Sequence, residues 1–374
     1  MKPPSSISSL VLSLLALPFV ASCTEPNPDF DPRTTNDGPL AYYDVSADTS
    51  SDAGAADGDS PGDDTTPTPP PLQKPNGVDV LLVIDNSSDM ATAQARLTRD
   101  IGALLGPLAA LPGGVRVGVV STDMGTGQFT AAPCDSSGDA GKLRRGELCN
   151  TSGLDYAVIP AGATGKAVTK DASCLMSVGK SGCGFEQPLE ALRAALEGGA
   201  SPMLRADAAL AIVVLTTEDD CSAKNTGLFD WADQSLGPYS DYRCFRQGVL
   251  CTGQQPPLSQ GKVSSCTPGQ SWLHDVKQRY SDFARSQRRW VSVAVIGGPP
   301  ASSYDIGRRY DKYGYPIYYV EPTCTDGTQI IGRPGVRLDT FSKAFGNDGF
   351  FGAICDASYE PVLAKLAQHI KAAF

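Results

Sequence analysis

Histidine is almost missing from this chain of 374 residues, which holds only His274 and His369. That scarcity leaves a serine or cysteine nucleophile without an evident base; both histidines lie in helix-like sequence, His274 with the surface of a helix as its expected place. No Cys-x-x-Cys pair occurs and neither histidine stands near a cysteine in sequence, which argues against a zinc site. No apolar run reaches the roughly 20 residues that a membrane-spanning helix needs. A complete phosphate loop is also lacking. In Gly162-Ala163-Thr164-Gly165-Lys166, Pro160 stands where the first glycine belongs and Ala167 where a Ser or Thr belongs, while Gly125-Thr126-Gly127 opens no helix. Basic excess is absent too: 31 Lys and Arg face 41 Asp and Glu, and the stretch Arg285 to Arg289 is short. Nucleotides and nucleic acids therefore drop out as partners.

What is present begins with an export signal over residues 1–22. Lys2 precedes an apolar stretch from Ile7 to Val20, and Val20-Ala21-Ser22-Cys23 follows with small residues. These four residues resemble the lipobox of bacterial lipoproteins, in which the cysteine is acylated. The resemblance implies lipidation at Cys23, and hence a bacterial envelope protein held at the outer membrane or cell surface. Setting Cys23 aside leaves an even ten cysteines: Cys134, Cys149, Cys174, Cys183, Cys221, Cys244, Cys251, Cys266, Cys324 and Cys355. In an oxidising compartment these form five disulfides, whose pairing the sequence leaves open.

Residues 23–76 read as a tether behind the lipidated cysteine. From Thr24 to Asn76, Pro, Asp, Ser, Thr, Ala and Gly dominate, and aliphatics are too few to offset chain entropy with a core. The segment carries nine of the chain's ten net negative charges, so the rest is nearly neutral.

Residues 77–374 read as a single α/β domain. Val78–Ile84, Val115–Val120, Ala209–Thr216 and Trp290–Ile296 are largely apolar, as strands covered on both faces are. Between them Met90–Leu111, Phe185–Glu197, Leu273–Arg285, Leu338–Phe345 and Tyr359–Phe374 show helical spacing. The expectation is a Rossmann-like open, mainly parallel sheet with helices on both faces. Cysteine-rich insertions at about 125–173 and 222–270 interrupt it, neither with a core of its own.

In such a sheet, ligands sit in the crevice beyond the carboxyl ends of the strands. Asp85, Ser87 and Asp89 leave the first strand there, Asp123 the second, and Thr217, Glu218, Asp219 and Asp220 the third. Clusters with oxygen donors alone suit hard cations. Helix capping by Ser87, Ser88 or Asp89 is the structural alternative, at about 1 kcal/mol.

Asp85-Asn86-Ser87-Ser88-Asp89 resembles the Asp-x-Ser-x-Ser motif of the von Willebrand factor A domain and its metal-ion-dependent adhesion site. Asp85 and Ser87 match; Asp89 replaces the last serine. Together with VVSTDMG from Val119, GCGFEQPLEAL from Gly182 and VVLTTEDDCS from Val213, the segment looks like the cysteine-rich bacterial lipoproteins of that superfamily. The resemblance puts Glu186 near the family's threonine position and Thr217 where its second aspartate falls. It implies a metal set of Asp85, Ser87, Asp89, Glu186, Thr217 and Asp219. So many carboxylates leave a divalent ion with net negative surroundings that repel an incoming acidic group. The expected ion is structural, calcium rather than magnesium because of the oxygen count. The function expected is non-catalytic, a binding, adhesion or scaffolding domain facing an unknown protein or envelope component. Its rival is an exported metal-dependent hydrolase working in the acidic crevice. Exposed aromatics, Trp231, Tyr239, Tyr242 and Tyr313 to Tyr319, are the candidates for partner contact.

Overall fold

The computed structural model describes residues 74–145, 149, 151–287 and 290–374. The signal segment, Cys23 and nearly all of the tether lie outside the described residues.

A six-stranded sheet organises the domain. Its strands are β1 (Val78–Ile84), β2 (Val115–Ser121), β3 (Tyr156–Ile159), β4 (Ala209–Leu215), β5 (Val291–Gly297) and β6 (Gly349–Ala353), in the order β6-β5-β4-β1-β2-β3. All neighbours run parallel except β3, which pairs antiparallel with β2. The order reverses at β1, where β2 and β4 flank it.

Both faces are buried, which explains the unbroken apolar runs. Val78, Val80, Leu82 and Ile84 of β1 enter one core with Leu97, Leu104 and Leu108 from the first helices and Leu363 and Leu366 from the last. Leu81 and Val83 point the other way, into a core with Leu189, Leu192, Tyr280 and Phe341. Asp79 is the exception in β1. Its carboxylate is fully buried and takes the Arg205 N–H at 2.6 Å and the guanidinium at 2.8 Å.

The stretch expected as one helix from Met90 to Leu111 is two, Ala91–Asp100 and Gly102–Ala109. At the junction the Ile101 carbonyl accepts from both Leu104 and Leu105, a local tightening of the turn. None of the described helices is long and apolar enough to cross a membrane.

Two strands of the main sheet were not evident from periodicity, nor was a separate antiparallel sheet of Gly261–Ser264, Ser303–Tyr310 and Pro316–Val320, the last two forming a hairpin. Tyr156–Ile159 lies within the first insertion yet extends the main sheet, and β6 is the glycine-bearing GFFGA. The ten cysteines pair as Cys134–Cys183, Cys149–Cys174, Cys221–Cys244, Cys251–Cys266 and Cys324–Cys355. The second insertion does acquire a core. Leu228 and Phe229 pack on Phe185 and Leu273 of the frame, beside Cys134–Cys183 and Cys221–Cys244. Its fully buried Arg243 binds the carbonyls of Leu228, Asp230, Asp233 and Gly237, so a guanidinium does there what a ladder of strands would do.

Candidate functional site: a buried carboxyl cluster at the sheet rim

Register builds the site. Ile84 aligns with Ser121 on one side and with Leu215 on the other, so β1, β2 and β4 end flush. The next residues, Asp85, Thr122 and Thr216, leave the sheet side by side, their N–H groups bonded to Leu215, Ile84 and Ile296 carbonyls. A strap from Gly182 to Gln187 crosses over them. It is tied down by Gly182 N–H to the Asn86 carbonyl and Gln187 N–H to the Thr122 carbonyl, while Cys221 N–H reaches the Glu186 carbonyl. A Cβ at Gly182 would fall 2.2 Å from Asn86 Oδ1, so a larger residue there would have to displace the Asn86 side chain.

Asp85 is fully buried and sits at the centre. Its Oδ1 accepts from Ser87 N–H at 2.7 Å; its Oδ2 accepts from Thr216 Oγ1 at 2.9 Å and Thr217 N–H at 3.4 Å. Ser87 Oγ donates to Asp89 at 3.0 Å, and Asp89 lies exposed at the rim. Glu186 is fully buried; Thr122 Oγ1 donates to its Oε2, while Oε1 has no partner. Thr217 Oγ1 and Asn86 Oδ1 are likewise buried and unpartnered.

The electrostatics follow from this crowding. Burial, followed by the charges of Asp85 and Glu218, pushes Glu186 well above the ordinary glutamate range. Burial and then Asp241 do the same to Glu218, against the opposing pull of Arg333. Asp85 is raised by burial, less strongly because Ser87 hydrogen bonds to it. Asp123 is raised by burial as well, with Gly125 and Cys183 N–H groups countering.

Hydrogen bonds thus join Asp85 to Ser87 and Thr217, and Ser87 to Asp89, while Glu186 lies near enough for the charge of Asp85 to act on it. Asp219, expected with them, is turned away. It accepts the Arg337 N–H at 3.1 and 3.0 Å and the Leu338 N–H at 3.1 Å, capping the Val336–Lys343 helix. The free N–H groups of a helix start draw a carboxylate more strongly than a crevice of like charges does. Asp220 serves a second helix start, at Leu189 N–H, and pairs with the fully buried Arg337 at 3.0 Å. Glu218, the first acid after β4, faces Arg333 at 3.8 Å and shares a small recess with Asp219, Asp241 and Arg333, close enough for its charge to act on Glu186.

The donor set is all oxygen, with two carboxylate or hydroxyl oxygens, Glu186 Oε1 and Thr217 Oγ1, left without partners. Among the described residues, no three acidic, histidine or cysteine side chains stand close enough to hold a metal ion by themselves. A hard cation here would thus depend on hydroxyl and carbonyl oxygens beside one or two carboxylates, a set that fits calcium or magnesium chemistry.

Neither histidine is among the groups that perturb Asp85, Glu186 or Glu218. His274 lies just before a helix rather than on one, its ring edge-on to Tyr280, and His369 pairs with Asp348 at 2.6 Å. The candidate aromatics divide: Trp231, Tyr313 and Tyr315 are exposed, whereas Tyr242 is buried and Tyr239 packs edge-on against Phe185.

No family model matches the chain, and no curated protein matches it. Among solved structures, the chain is similar to the pilus adhesin SpaC from Lactobacillus rhamnosus GG in its open conformation, at 14% identity and TM-score 0.34 over 81% of this chain and 30% of that one. It is also similar to proximal thread matrix protein 1 from the mussel byssus, at 10% identity and TM-score 0.29 over 81% of this chain and 47% of that one. The chain thus spans less than half the length of either. What the fold itself defines is an α/β domain with a mixed, mostly parallel sheet, pinned by five disulfides.

Proposed function

We propose that this is a non-catalytic binding or scaffolding domain of the von Willebrand factor A type, displayed outside the cell on a lipid-anchored chain. In this reading its rim cluster holds a structural divalent cation, calcium in preference to magnesium. The observation that carries the reading is the joining of the loops that leave β1 and β4 at Asp85, with Glu186 Oε1 and Thr217 Oγ1 buried and unsatisfied nearby. Orphaned oxygens of that kind cost free energy unless a cation, a proton or water satisfies them. The strand order and the reversal at β1 support the fold assignment. Five disulfides support an oxidising compartment. A structural ion is favoured over a partner-capturing one because Asp85, Glu186 and Glu218, once a bound cation ionises them, would surround it with negative charge and repel an incoming acidic group.

The test is thermal unfolding of the full chain in chelator, magnesium and calcium at neutral pH. Calcium should raise the melting temperature more than magnesium does, and Glu186→Gln should reduce the difference. Identical melting in all three conditions would overturn the cation.

A further inference from the structure

A second concavity opens at the carboxyl end of β2, beside Asn86 and Gly182. It encloses about 620 Å³, a volume ordinary for a small-ligand site. Its walls come from the loop after β2, from Lys142 to Arg145 and from Val178 to Gly182. Four cations, Lys142, Arg144, Arg145 and Lys180, line it against three carboxylates, Asp123, Asp135 and Asp139.

The two sets differ in how they are engaged. Asp123 accepts from Gly125 and Cys183 N–H groups, Asp135 from Ser137 and Gly138 N–H groups, and Asp139 from Ser121 Oγ. The side chains of Lys142, Arg144 and Lys180 make no hydrogen bond or ion pair among the described residues. Arg144 is the most telling. Its backbone is fixed to β2 by a 2.7 Å bond to the Val119 carbonyl, and its guanidinium is half-buried, so it forgoes water for the charge of Asp139 alone, without a hydrogen bond. A desolvated arginine fork is suited to two-point recognition of a carboxylate. No aromatic ring lines the cavity, which removes the stacking surface that sugars and bases use.

We infer that this cavity captures a carboxylate-rich peptide segment of a partner protein, with Arg144 gripping one carboxylate and Lys142 and Lys180 flanking it. The inference adds a partner chemistry to the binding role proposed above, at a place that needs no cation.

The test is fluorescence anisotropy of a labelled eight-residue Asp/Glu peptide titrated with the full chain at low ionic strength in chelator, so that failure of the cation reading leaves the result untouched. Wild type should bind, and Arg144→Gln with Lys180→Gln should weaken binding at least about tenfold, the loss expected when charge-assisted hydrogen bonds are removed. Arg308→Gln with Arg309→Gln removes equal charge from an exposed hairpin and should leave affinity unchanged. Arg144→Lys, which keeps the charge but not the fork, should fall between and guards against a misfolded double variant. Absence of wild-type binding, equal weakening by both double variants, or displacement of the peptide by inorganic phosphate at constant ionic strength would each overturn the inference.

Discussion

The hydroxyl of Thr216 donates to Asp85 Oδ2 at 2.9 Å, so the loop leaving β4 closes onto the loop leaving β1 within the protein interior. Ser87 and Thr217 N–H groups reach the same carboxylate. Asp85→Ala strands three donors in a buried place. At about 1–3 kcal/mol for each unsatisfied group, with partial relaxation, the expected loss is roughly 3–5 kcal/mol. Asp85→Asn keeps an oxygen for Ser87 and should lose less. Urea unfolding midpoints of the two variants against wild type measure the difference, and a wild-type midpoint for the alanine variant would contradict the hub.

Stability should fall as pH rises through neutrality in the absence of divalent ions. Glu186 and Glu218 are raised well above the ordinary range, and burial raises Asp219 to about 7. A carboxyl raised on folding favours the native state while it is protonated. That contribution is full below the unfolded-state value near 4 and is lost as pH climbs through the folded value. Glu190 works in the opposite sense: burial opposes its ionisation, but Arg279 and Arg193 overcome this and hold it at about 2, so its contribution disappears only in acid. Melting in chelator should therefore decline from about pH 5 to about pH 8. Glu186→Gln should flatten the decline and melt higher than wild type at the alkaline end, with little difference near pH 4. A variant that melts lower at every pH would contradict the assignment.

Arg337 and Asp220 form a fully buried ion pair that also links the Val336–Lys343 helix to carbonyls of Gly269 and His274. Arg337→Met leaves the buried Asp220 without its main partner, which should cost about 3–5 kcal/mol. Denaturant unfolding checks this, and a loss under about 1 kcal/mol would show that the pair is dispensable.

The Cys221–Cys244 bridge closes a separation of 23 residues around Leu228 and Phe229. Replacing both cysteines with alanine should cost about 3 kcal/mol. Hydrogen exchange should show the loss concentrated in the second insertion, with β1 and β4 still protected. Uniform loss of protection would contradict a satellite core held by its own bridge.

Much of the frame was legible in the sequence, because strands buried on both faces must be apolar along their whole length. Val78–Ile84, Ala209–Leu215 and the β5 run declare themselves in that way. β3 and β6 did not: four residues within a cysteine-rich stretch and a Gly-Phe-Phe-Gly-Ala run carry no period, and only pairing with β2 and β5 makes them strands. Of the site, the polar residues that end the apolar strands were legible, and the structure joins Asp85, Ser87 and Thr217 by hydrogen bonds. The engagement of Asp219 was not, since it turns on which carboxylate meets the start of the Val336 helix, a contact separated by more than a hundred residues. The disulfide pairing was hidden for the same reason.

Carboxyls from separate crossings of one sheet, Asp85 and Glu186 fully buried and Glu218 mostly so, lie close enough at its rim to act on one another. This proximity is measured most directly by a carbon-13 NMR titration of the full chain, labelled at glutamate side-chain carboxyls, in chelator. Two resonances should titrate far above the ordinary glutamate range, and Glu186→Gln should delete one while lowering the midpoint of the other, assigned to Glu218. A spectrum in which every glutamate titrates near its ordinary value, or in which the two raised groups ignore each other, would contradict it.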